Sequence, residues 1–203
     1  MVERFNSGLE HTRKVLEQGF VTLEDFMGGD AAVVRAARIS YMSEAGTPAQ
    51  DACLIRRLLE GGHNTPFEHA VFRWAVKCPI FIARQWMRHR IGTFNEKSLR
   101  YCIAERECYA PEGTQNSVYK TAYAQAFEQY DKLLTAGVRP EQARIVLPVA
   151  TYTEFVWTVN AWSLINFLEK RNERHAQFEM RKYAQAIHEI FAIVMPQTAE
   201  AFM

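Results

Sequence analysis

No run of apolar residues in this sequence approaches the roughly 18 needed to cross a bilayer, although 48% of its 203 residues are hydrophobic. The opening stretch, MVERFNSGLE, has no signal-peptide apolar core. Together these set the expectation of a cytoplasmic protein with no membrane partner. Excess charge of one sign is also missing: 24 Lys and Arg stand against 23 Asp and Glu, a net of +1. A dedicated duplex-DNA binder would carry a strongly basic balance, and the cations here are local, so the expected partner is a small molecule. The four cysteines, Cys53, Cys78, Cys102 and Cys108, form no CxxC pair. Their spacing does not suit zinc, and they read as reduced, partly buried thiols. HExxH is absent, so no metal is expected. GxGxxG is absent too, and no βαβ alternation recurs often enough for a Rossmann sheet. Any nucleotide or flavin must be held another way. Repeats, low-complexity tracts and linkers are lacking as well, and 1–203 reads as one domain. A chain of this length buries roughly 70% of its unfolded surface and needs no staples.

What is present alternates between strand and helix signals. FVTLEDFM, 20–27, reads as a strand closed by Gly28-Gly29. Asp30 then looks like the N-cap of a helix, AAVVRAARISY. Thr47-Pro48 opens a second helix, AQDACLIRRLLE, with Gly61-Gly62 past its end. In HAVFRWAVKC, 69–78, Ala70, Phe72, Trp74, Val76 and Cys78 share one face and Arg73 and Lys77 the other, the pattern of a half-buried strand. Pro79 ends that strand and starts a helix, IFIARQWMRHR, which Gly92 interrupts; the residues beyond are expected to be irregular. A long amphipathic helix over 117–137, a short one in PEQARIVL, a strand TYTEFVWTV over 151–159, a helix capped by Asn160 through Arg171, and a last helix over 174–194 complete the reading. The fold class expected is α+β: helix-rich, with a small, mostly antiparallel sheet.

One stretch departs from the even charge. Between Arg84 and Arg100 lie Arg84, Arg88, Arg90, Arg100, Lys97 and His89, answered only by Glu96. On a helix Arg84 and Arg88 would face together, at a cost of a few tenths of a kcal/mol. A helix C-terminus tolerates cations through its dipole, which is the bland explanation. It leaves Lys97 and Arg100, past Gly92 and interleaved with Thr93, Asn95 and Ser98, unexplained. Arginine forks with hydroxyl and amide donors suit a phosphate monoester, and Glu96 suits a sugar hydroxyl or base N–H. Trp86, Phe94 and Tyr101 among the same cations leave a second reading open: a non-catalytic nucleotide or single-stranded nucleic-acid binding module, with those rings as stacking faces. Two further stretches stand out. GGHNTPFEHA, 61–70, carries His63, Thr65, Glu68 and His69 on a turn, where a structural histidine is the bland reading. NAWSLINFLEKR, 160–171, sets Asn160, Asn166 and Arg171 in an apolar helix; Asn160 can be only a cap, whereas a buried Asn166 amide would need partners.

Taken in order, these stretches resemble the flavin-dependent thymidylate synthases, the ThyX family. Its signature of Arg-His-Arg, seven residues, then Ser is met by Arg88-His89-Arg90 and Ser98. The longer form is met by Asn95, Glu96, Arg100 and Tyr101. ARISY, GHNTPFEH, ARIVLP, TVNAWSLINFLEKR and HAQFEMRKYA look like the family's remaining blocks, so the resemblance covers nearly the whole chain. It implies synthesis of dTMP from dUMP, a methylene from 5,10-methylenetetrahydrofolate, FAD as hydride donor, NADPH as its reductant, and a homotetramer with shared active sites. It also implies that no enzyme nucleophile is needed. A flavin enzyme of the same fold acting on another nucleotide stays open beside it.

Residue by residue, the resemblance places Gln85, Trp86, Met87 and Arg88, then Glu96, Lys97, Ser98, Leu99 and Arg100, with Arg144, at dUMP. It places Ser40, His63, Thr65, Arg88, His89, Arg90, Glu96, Asn160, Ala161, Trp162 and Asn166 at FAD. Arg171 matches the family's catalytic arginine, at the uracil edge. Two positions depart from the pattern. Trp162 stands where the family has arginine in Asn-x-Arg, exchanging a polar contact for an indole that can stack on the cofactor. Leu99 replaces a small residue, at a position where a backbone N–H contact would tolerate leucine.

Overall fold

The computed structural model of the protein describes residues 11–40 and 46–202. The opening MVERFNSGLE, and Tyr41 at the end of the first expected helix, lie outside the described residues. A five-stranded sheet forms the centre, in the order β1-β2-β3-β5-β4: β1 Thr12–Val15, β2 Gly19–Met27, β3 Val71–Pro79, β4 Thr93–Glu96 and β5 Tyr152–Asn160. Every neighbouring pair is antiparallel. The helices are α1 Asp30–Ile39, α2 Pro48–Glu60, α3 Ile80–Trp86, α4 Asn116–Thr135, α5 Pro140–Ala143, α6 Ala161–Arg171, α7 Phe178–Val194 and α8 Pro196–Phe202. The α+β class expected from the sequence is the one observed. Among the described residues, no helix is long and apolar enough to cross a membrane.

The central strand β3 behaves as its alternation demands. Phe72, Trp74, Val76 and Cys78 are buried, in one apolar cluster with α6 and α7 residues such as Phe167, Ile187 and Phe191. Its other face carries charge: Arg73 pairs with Glu24 and Asp25, and Lys77 with Glu107 at 2.6 Å. Gly28 and Gly29, at φ 100° and 72°, end β2 in conformations that other residues adopt only with strain. Thr47 and Gln50 form a capping box at the start of α2. The four cysteines are free thiols, with Cys78 fully buried, Cys108 partly so, and Cys53 and Cys102 exposed.

Several expectations are corrected. Asp30 does not cap α1; Gly29 holds that position. The Asp30 carboxylate instead accepts from the backbone N–H groups of Gln197 and Thr198 and from the Thr198 hydroxyl. It thereby fastens α8, a helix not anticipated, as β1 was not. The last long helix begins at Phe178, not 174. Most relevant to function, α3 stops at Trp86 instead of reaching Arg90. Trp86 is fully buried, edge-on to Phe155 and Trp157, with its ring centre 4.9 Å from that of Phe167. With the indole pinned there, the chain turns away, and the His89 N–H reaches back to the Trp86 carbonyl. Arg84 and Arg88 therefore do not share a helical face. Past Gly92 the chain is not irregular: Thr93–Glu96 pairs with β5, and Phe94 stacks on Trp157 at 6.0 Å.

Candidate functional site

The buried Trp86 divides the cations. Arg84, before it, and Met87 face one cavity; Arg88, His89 and Arg90, after it, face another, and Lys97 returns to the first. The first cavity, of about 450 Å³, is lined by Arg84, Met87, Glu96, Lys97, Leu99, Arg144 and Thr153, with apolar walls from Ile80, Ile145 and Val149. Its position follows from β4, which carries Glu96 to the sheet edge beside β5, and from the short helical turn Arg144–Val146 after α5. Glu96 accepts from the Thr153 hydroxyl at 2.8 Å. Lys97 reaches out to Glu105 at 2.5 Å, a contact that raises its pKa. Arg100 does not line this cavity. Its guanidinium lies 3.3 Å from Glu141 and over the Tyr101 ring. The Ser98 hydroxyl accepts from the Arg100 N–H.

The second cavity, of about 460 Å³, is lined by Arg88, His89, Arg90, Trp162, Ser163, Asn166, Lys170 and Arg171. Arg171, at the end of α6, donates from Nε to His89 Nε2 and from Nη2 to the Gln85 carbonyl, both at 2.9 Å. His89 must then carry its proton on Nδ1 when neutral. Burial lowers its pKa to about 4, and the charges of Arg171 and Lys170 add to that effect. A neutral imidazole is what an arginine donor requires as acceptor. Burial also lowers the Arg171 pKa from its ordinary value. A guanidinium nevertheless stays charged when desolvated. Two bonds fix its orientation, and the rest of the fork is free to meet a ligand.

This second cavity fits a large planar, anionic cofactor on three observations. The Ser163 hydroxyl is buried with no hydrogen-bond partner among the described residues. Such an orphan costs roughly 1–3 kcal/mol unless a ligand or water satisfies it. Arg88 and Arg90 have no acidic partner among the described residues. Trp162, half-buried and packed on Phe67, offers an aromatic face.

The remaining expected residues are placed as follows. Asn160 caps α6, its side-chain oxygen accepting from Ser163 N at 2.9 Å. Asn166 is half-buried at the cavity wall, not enclosed in the core as its apolar neighbours suggested. Ala161 and Trp86 are fully buried and line neither cavity; the Ala161 N–H donates to the Ala70 carbonyl, and Trp86 cannot serve as a stacking face. Gln85 donates to Gln177. Ser40, His63 and Thr65 are exposed and line neither cavity. Sequence reasoning omitted Arg84 and Ser163 from its ligand set. The signal for Ser163 was helical spacing: Ser163, Asn166 and Lys170 recur every three to four residues along one face of α6, in register with Arg171's end of the helix.

Comparison with known proteins gives consistent matches. Residues 22–197 match the family model described as thymidylate synthase complementing protein. A flavin-dependent thymidylate synthase of Thermosipho africanus is 46% identical, over 94% of this chain and 93% of that protein. One of Thermotoga neapolitana is likewise 46% identical, over 93% of each. Among solved structures, the UMP/dUMP methylase PolB of Streptomyces cacaoi bound with 5-Br dUMP is similar with a TM-score of 0.87 and 34% identity, covering 94% of this chain and 97% of that one.

Proposed function

The chain belongs to the flavin-dependent thymidylate synthase family, and from that membership we propose that it converts dUMP to dTMP with FAD as cofactor, 5,10-methylenetetrahydrofolate as carbon donor and NADPH as reductant. One catalytic domain carries the reaction, in a homotetramer whose sites are shared. The observation that carries the reading is Arg171, held by His89 and Gln85 at the wall of a cation-lined cavity with part of its fork unused.

The first cavity suits the nucleotide monophosphate: Lys97 and Arg144 face the phosphate, Glu96 a sugar hydroxyl or base N–H, and Leu99 closes one wall. Gln85, Met87, Arg88, Ser98 and Arg100 complete the dUMP contacts. Holding a remote dianion puts binding energy into orienting the base. Arg171 sits against the uracil carbonyl and N3. A fixed cation there stabilises negative charge on the ring, which makes the carbon that will bear the methyl more nucleophilic towards the methylene. The cofactor residues are Arg88, His89, Arg90, Trp162 and Asn166, with Ser40, His63, Thr65, Glu96 and Asn160 contributing from their own chain or a neighbour's. Bound FAD, once reduced, supplies the hydride that completes the methyl group. In a single chain the phosphate-type residues and Arg171 line different cavities, which supports a site completed by neighbouring copies.

The test is Arg171→Ala. The variant is expected to fold, to keep its yellow flavin absorbance, and to lose most release of tritium from 5-tritiated dUMP. Near-wild-type dTMP formation would remove Arg171 from its role at the uracil edge. A second reading, in which UMP is also accepted, draws on the similarity to PolB, which has also been solved with 5-Br UMP at a TM-score of 0.83 and 33% identity to this chain. Tritium release from 5-tritiated UMP decides it.

A further inference from the structure

Arg84 belongs to the cation-rich stretch of the sequence, yet the family resemblance assigns it no ligand. The structure puts it in the last turn of α3, exposed, at the wall of the first cavity beside Lys97 and Arg144. The other cations of that neighbourhood are engaged. Lys97 is 2.5 Å from Glu105 and Arg100 is 3.3 Å from Glu141. Arg144 Nε donates to the Glu141 carbonyl. Arg84 has no acidic partner among the described residues. The cavity's own carboxylate, Glu96, accepts from Thr153 on the β5 side. Trp86, two residues on and fully buried, anchors the backbone that carries Arg84. A guanidinium on an anchored backbone, with its donors unengaged at a cavity wall, is arranged for bidentate contact with an anion.

We infer that Arg84 is a further substrate-binding residue that grips the 5′-phosphate of the nucleotide in the first cavity. This rests on the nucleotide reading above. It also divides the work of the cations. Arg84 is available from the start, whereas Arg100 must leave Glu141 to join it.

The experiment uses the full-length, FAD-loaded protein and its Arg84→Ala and Arg84→Lys variants. dUMP affinity is measured by calorimetry, and kcat/KM is measured for dUMP and for deoxyuridine, which lacks the phosphate. A charge-assisted pair of this kind corresponds to a loss of about tenfold to a hundredfold. The Ala variant is expected to lose that factor in dUMP affinity, and its preference for dUMP over deoxyuridine to fall by the same factor. The Lys variant should recover part of it, with the flavin spectrum and melting temperature unchanged. Equal losses for dUMP and deoxyuridine, no loss, or a KM change confined to methylenetetrahydrofolate would each overturn the assignment. A wild-type protein that binds dUMP in no measurable way would sink the functional reading, and this inference with it.

Discussion

His89 offers the sharpest test of how the second cavity is wired. Its folded pKa, about 4, lies below the ordinary 6.5 because burial and the Arg171 and Lys170 charges oppose protonation. Between those values the unfolded chain binds a proton that the folded chain refuses. Stability from this group is therefore full above pH 6.5 and is lost as pH falls towards 4. The whole shift corresponds to about 3 kcal/mol at 1.36 kcal/mol per unit. His89 is only half-buried and opens on the cavity, so solvent screening reduces the effect to about 1–2 kcal/mol. The perturbation is His89→Gln, whose amide oxygen can still accept from Arg171 Nε but cannot titrate. Urea unfolding of both proteins at pH 7.5 and pH 5 isolates the difference, since the carboxylates common to both cancel. The wild type should lose about 1 kcal/mol more than the variant over that interval. Parallel losses would refute the claim that His89 is held neutral against Arg171.

Two further outcomes concern the frame. Asp30→Ala removes the acceptor of three hydrogen bonds from the start of α8; it should cost about 2–3 kcal/mol and speed amide exchange in Pro196–Phe202 before the rest of the chain. Gly19→Ala would drive its Cβ into the Tyr183 hydroxyl and to 2.7 Å and 2.8 Å from the Val15 and Lys77 carbonyls. That overpacking should cost about 1–3 kcal/mol, read as a lower melting temperature with β1 loosened.

Strand β3 and helix α2 were legible because period and punctuation agreed: alternation with a proline stop, and a proline start with glycine beyond. The α3 end was not, because the rule that failed is local. IFIARQWMRHR has no breaker before Gly92, and only the tertiary demand for Trp86 in the aromatic core stops the helix four residues early. β4 was missed for a related reason: its four residues are mostly exposed, and its strand identity comes from pairing with β5. At the candidate site the residue types were readable, since arginines near hydroxyls announce an anion. Which arginine faces which cavity was not, because that depends on where the chain turns. Asp30 makes the same point: it looks like a cap by position, and tertiary structure uses it as a clasp.

The cation-rich stretch is therefore one cluster in sequence and three groups in space. Arg84 and Lys97 meet Arg144 at one cavity, Arg88, His89 and Arg90 meet Arg171 at another, and Arg100 is parked on Glu141. The separation has an electrostatic logic. Six potentially cationic groups on one helix and its extension would repel each other at every step. Splitting them around a buried tryptophan relieves that repulsion, while burial and then the Arg171 and Lys170 charges favour the neutral form of His89. The same split leaves a cation-lined cavity on either flank of a single short segment, 84–91. On the function proposed above, a reaction that brings a nucleotide base against a flavin would use such a separation to anchor each ligand's charge apart from the other's.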